Sequence, residues 1–133
     1  MGLDQWAIRV KRENIVSDLE FKKGEYLSET NNDTLGNDLN FYYWRSFSSL
    51  DLWFEGLYRK KGGKGDFNCM CVRLDADDLD ALYIDAQEDT FYEWRYDEAG
   101  ERRKMGYEHL MEFIQKAKKA IQEGDAVYYT SWW

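Results

Sequence analysis

The sequence predicts an α+β domain in which helices pack on one face of a mainly antiparallel sheet, and three stretches carry that expectation. Leu3 to Lys11 alternates, with Trp6, Ile8 and Val10 on one side and Gln5, Ala7 and Arg9 on the other, the period of a half-buried strand. Leu110, Phe113, Ile114, Ala117 and Ile121 recur at helical spacing, and Ala126 to Trp133 is β-branched and aromatic enough for a closing strand. At 133 residues the chain has the size of one ordinary domain, 1–133, able to bury a core without disulfides or metal.

The first strand is expected to pair with the closing one, because each offers an alternating apolar face that needs cover. Beyond Arg12 the pattern weakens, and Phe21 to Tyr26 reads as a turn flanked by single apolar anchors. Ser28 to Asn40 is almost wholly polar, with Asn31-Asn32-Asp33 and Gly36-Asn37-Asp38 supplying turn chemistry, and is expected to be a mobile loop. Asn40 to Lys60 is crowded with aromatic rings. Tyr43, Phe47, Leu50, Phe54 and Leu57 recur at intervals of three and four, which predicts a central helix over the whole stretch. Glycines in Gly62-Gly63-Lys64-Gly65 end it.

Phe67 to Leu74 reads as a strand. Asp75, with Asp78 three residues on, forms a capping-box pattern for a short helix through Leu79, Leu82 and Tyr83. Thr90 to Tyr96 alternates, and the turn Asp97 to Gly100 returns Glu101 to Met105 as a hairpin partner. The last helix has Glu108 and Glu112 early, Lys116, Lys118 and Lys119 late, and Gly124 at its C-terminal cap.

Charge and composition narrow the function. A formal net charge of −8 argues against wholesale binding to nucleic acid or anionic membrane and favours basic or neutral partners. Aromatic residues make up 17% of the chain, so its apolar content is concentrated in large rings that bury much area per residue. Cys69 and Cys71 are too close for an unstrained bridge, so two reduced thiols and a cytoplasmic setting are expected. Met1 to Lys11 holds no long apolar run, so neither signal peptide nor membrane span is expected.

No catalytic, metal or cofactor signature stands out. The glycine-rich segment departs from a phosphate loop, because no Ser or Thr follows its Gly-Lys, only Gly65 and Asp66. Lys60, Lys61 and Lys64 could still hold an isolated phosphate. The acids from Asp75 to Asp89 lack calcium-loop spacing; they are either a solvated helix face or a patch for a basic partner. His109 with Cys69 and Cys71 could supply three soft ligands, but nothing in their spacing makes them converge. Carboxylate pairs such as Asp51 with Glu55 are numerous enough to arise by chance.

Met1-Gly2-Leu3-Asp4, Tyr43-Trp44-Arg45 followed by Trp53-Phe54, and the closing Gly124-Asp125, Tyr128-Tyr129 and Ser131-Trp132 together resemble a family of small uncharacterised bacteriophage, prophage and bacterial proteins. The resemblance implies an accessory protein of mobile elements that modulates host or defence machinery. Asp51 stands where that resemblance implies a His, so any role for the imidazole is absent here. The leading expectation is a non-catalytic interaction protein that meets a host protein with a basic or mixed surface. Its interaction surface is expected to comprise Trp44, Arg45, Trp53, Asp77, Asp78, Asp80 and Trp94. A small enzyme or nucleotide-binding domain is the alternative, promoted by a pocket that combines Arg45 or Lys64 with converging carboxylates.

Overall fold

Asp4–Val10 (β1) sits in the middle of the structure because both of its faces are apolar enough to be covered. In this computed structural model, which describes residues 2–133, it pairs antiparallel with Ala126–Trp132 (β10) on one side and Asp38–Arg45 (β6) on the other. The expected union of first and closing strands is therefore present, from Asp4 opposite Trp132 to Val10 opposite Ala126. Cys71–Leu74 (β7) extends the sheet beyond β10. Asn32–Asp33 (β5) and Tyr26–Leu27 (β4) extend it beyond β6, giving the order β4-β5-β6-β1-β10-β7. Ile15–Ser17 (β2) with Glu20–Phe21 (β3), and Trp94–Tyr96 (β8) with Arg102–Lys104 (β9), form two small hairpins.

Helices Ser48–Lys60 (α1), Ala76–Asp85 (α2) and Tyr107–Gln122 (α3) cover one sheet face. Ala7, Trp44, Val72, Val127 and Tyr129 meet Leu50, Phe54, Leu82, Leu110 and Phe113 there. The Phe54 ring lies 3.9 Å from that of Tyr129, and Trp44 meets Phe113 edge-on at 4.8 Å. On the opposite face the β2–β3 hairpin folds Ile15 and Phe21 over Ile8, Val10, Ala126 and Tyr128. From Ala7 to Val10, β1 is thus covered on both sides rather than half-buried. Trp6, Ile8 and Val10 lie away from Val127 and Tyr129, whose partners across the strand are Arg9 and Ala7.

Two expectations are corrected here. The central helix begins at Ser48, not Asn40, because Phe41 to Trp44 pair as a strand and Ser46 turns the chain with φ +60°. Aromatic rings stand well on a pleated surface, which outweighs their chance match to helical spacing. The segment from Ser28 to Asn40 is tied down rather than loose. The buried Asp33 carboxylate accepts from the backbone N–H groups of Gly24, Leu35 and Asn37 at 2.8–2.9 Å, and the buried Asn37 amide bonds Asp33 and Lys22. Burial pushes that carboxyl up, but the donors outweigh it and hold its pKa below the usual carboxylate value.

The signals at the ends of the other two helices hold. Asp75 and Asp78 close the expected capping box on α2, and Gly124 follows α3 at φ +97°. The strand expected from Phe67 begins only at Cys71, after a turn in which Cys69 has φ +65°. The strand expected over Thr90 to Tyr96 is likewise shortened to β8, Asp89–Phe91 forming a 3-10 turn that sends Tyr92 into the core. Among the described residues no helix is long and apolar enough to cross a membrane.

Candidate functional site

The residues expected to form one interaction surface do not converge. Trp44 is only 5% exposed, because on β6 it faces the helix layer, and it is corrected from exposed anchor to core residue. Trp53 is half-buried and donates its indole N–H to Asp85 at 2.8 Å, joining α1 to α2. Asp78 is held by Lys61 Nζ at 2.5 Å, Asp80 pairs with Lys118, and Asp77 is exposed. Trp94 lies under the Arg102 guanidinium, 4.2 Å from its ring centre, on the β8–β9 hairpin. Arg45 is an exposed side chain whose one ion-pair contact, with Asp4, is 3.9 Å long.

A row of large rings lies instead on the sheet face away from the helices. Trp6 on β1 stands directly opposite Tyr43 on β6, with ring centres 5.7 Å apart, and Trp132 on β10 lies opposite Asp4. Even spacing along these strands puts all three rings on one face. The β2–β3 hairpin covers only the other end of that face, leaving Tyr43 45% and Trp132 58% exposed. Between them runs a groove of about 310 Å³ with Trp6, Ile8, Leu39, Thr130 and Trp132 in its walls and Lys23 at its rim. The Tyr43 hydroxyl donates to Asp4 at 2.5 Å, a bond that raises its phenol pKa. The alternation of β1 and the closing tryptophans was visible in sequence. Which end of the face a hairpin would cover was not.

A second concavity, of about 360 Å³, opens where β6 hands over to α1. Arg45 and Phe47 form one side, Phe91, Glu93 and Arg95 another, and Met105, Gly106 and His109 the end of α3. Its floor is fixed by Gln5, wholly buried on β1. Gln5 Nε2 donates to the Phe47 carbonyl at 3.0 Å, and Gln5 Oε1 accepts from the Phe47 N–H at 2.8 Å. Gln5 Nε2 also bonds the Tyr129 hydroxyl, which donates to the buried Asp51 at 2.7 Å. Burial, then the Asp51 charge, drives the Tyr129 pKa far upward, so this hydroxyl stays protonated and structural. Gly106 has φ +88° and no room for a Cβ, which would come within 2.9 Å of the Phe47 ring.

The thiols offer little chemistry. Burial, with Glu20 nearby, pushes Cys71 up to about 11, and its Sγ bonds the Leu19 carbonyl. His109 lines the cleft at α3, whereas Cys69 lines the groove on the bare sheet face, so the three soft ligands weighed from sequence are not gathered. Comparison with protein-family models, curated proteins and solved structures finds no match.

Proposed function

We propose that the protein acts by binding, as a non-catalytic interaction module that seats a protein partner on the bare aromatic sheet face. The observation that carries this reading is the row Tyr43, Trp6 and Trp132 across neighbouring strands, in which Tyr43 and Trp132 are exposed and Trp6 is half-buried between them. Contiguous exposed apolar surface rimmed by polar groups is uncommon on a protein that works alone. Tryptophan and tyrosine at the centre of an interface dominate its energy. The net charge of −8 selects a partner with a basic or mixed surface around its apolar centre. The resemblance to phage and prophage proteins suggests the setting, a mobile-element protein that modulates a host or defence protein.

The acids of α2 lie in the helix layer, on the other side of the sheet from these rings. Their part is therefore long-range attraction, largely screened at physiological salt, and the rings hold the complex. The test is affinity capture from host lysate followed by kinetics with the purified partner. Trp132→Ala should leave the melting curve intact and speed dissociation about thirtyfold, as loss of an anchor of roughly 2 kcal/mol requires. A partner that leaves the variant and the parent at the same rate refutes this seat.

A further inference from the structure

We infer that the cleft between the β6–α1 junction and the β8–β9 hairpin binds a phosphate monoester carried on a flat heterocycle, the chemistry of a nucleoside monophosphate. Arg45 and Arg95 reach it from different elements, with side chains 69% and 66% exposed, so both can swing onto a ligand. Their present partners hold them lightly: Asp4 stands 3.9 Å from Arg45, and Glu93 meets Arg95 at an exposed site. Guanidinium groups pair with phosphate oxygens in a fork, a geometry lysine cannot reproduce.

Two further donors point the same way. Helix α1, thirteen residues long, starts in the cleft wall at Ser48 and Ser49 with no side-chain cap, so its first N–H groups can meet an anion, although Asp51 in the same turn offsets part of the positive end. Trp44 also lines the cleft, is 95% buried, and its indole N–H has no partner among the described residues. That nitrogen is itself shielded from solvent, so a ligand in the cleft reaches it only with a shift of the Trp44 ring.

The rest of the lining selects what carries the phosphate. Phe47 and Phe91 offer ring faces and edges on which a flat heterocycle can pack. Glu93 supplies a carboxylate acceptor for amino or ring N–H groups. A cavity of about 360 Å³ takes one small molecule. The net charge of −8 opposes a polyanion, so a single nucleotide fits where a nucleic-acid strand does not. The cleft borders the partner seat at Tyr43, but Trp132 belongs only to the groove on the sheet face, so Trp132→Ala tests the seat alone.

Isothermal titration of the full chain with adenosine 5′-monophosphate, adenosine and inorganic phosphate tests this. Saturable one-to-one binding of the nucleotide is expected, with adenosine and phosphate each at least about tenfold weaker. Arg45→Gln and Arg95→Gln, both at exposed positions, should each weaken the nucleotide about tenfold, the loss of a charged hydrogen bond. Lys60→Gln, the same charge change on an exposed residue outside the cleft, should leave it unchanged. No saturable nucleotide binding, equal affinity for phosphate and nucleotide, or affinity indifferent to both arginines overturns the inference.

Discussion

Replacing Gln5 with Leu is expected to destabilise the protein by about 3 kcal/mol, although the two side chains are similar in size. Gln5 is wholly buried and makes three hydrogen bonds, two to the Phe47 backbone and one to the Tyr129 hydroxyl. Phe47 O keeps a second donor in the Asp51 N–H, and Tyr129 still donates to Asp51, so those two losses cost about 1 kcal/mol each. The Phe47 N–H, part-buried at the cleft wall, would lose its acceptor, which costs about 1–2 kcal/mol, and the apolar gain of Leu offsets part of the total. For a chain of 133 residues the net loss corresponds to a fall of about 10 °C in Tm. Thermal and urea unfolding followed by circular dichroism would measure it. A loss below about 1 kcal/mol would show that β1 does not clamp the β6–α1 junction through this side chain.

Asp33, whose folded carboxyl titrates below the ordinary value of 3.8, contributes stability that is present above that value and lost as pH falls through the lower folded one. Asp33→Asn should therefore be less stable at neutral pH and decline less steeply below about pH 4, read from urea melts across the acid limb. Lys61, with its side chain 12% exposed, bonds Asp78 at 2.5 Å and the Arg73 carbonyl at 2.6 Å. Lys61→Met should cost about 2 kcal/mol, and a double-mutant cycle with Asp78→Ala should return most of that as coupling. Removing Tyr129 to Trp133 takes away half of an interior strand and its buried ring. The remainder should show no cooperative melting and a collapsed amide spectrum, and a merely lowered Tm would contradict the topology.

What the sequence revealed follows from where one force acted alone. In α3 the apolar stripe, the early acids, the late lysines and Gly124 all favour one helix, and the helix runs Tyr107–Gln122. In α2 the Asp75 and Asp78 cap fixes the start without reference to anything distant. Asn40 to Lys60 misled because Tyr43 and Phe47 fall by chance in step with Leu50, Phe54 and Leu57. The run Phe41-Tyr42-Tyr43-Trp44 was the available strand signal, and Ser48-Ser49 the helix start. Asp33 and Asn37 read as loop residues because their burial depends on Gly24 and Asn14, which composition cannot bring near. Of the expected surface residues, Trp44 and Arg45 both border the cleft, but their neighbours Arg95 and His109 come from segments far along the chain. No local pattern encodes that meeting.

The position of β1 between β6 and β10 also sets an order of events during synthesis. The innermost strand is made early, yet its register runs from Asp4 opposite Trp132 to Val10 opposite Ala126, so half of its pairing waits for residues made more than a hundred positions later. Until then β6 is its one neighbour. Such a β1–β6 ribbon would show Ala7 and Trp44 on one side and Ile8 and Val10 on the other without α3 or β10 to cover them. Long-range pairing of this kind slows closure of the sheet, and the waiting ribbon is a surface on which nascent chains can associate. Conditions that lengthen the wait, such as slow translation of Tyr107–Trp132, should lower the soluble yield of a protein whose finished form is stable.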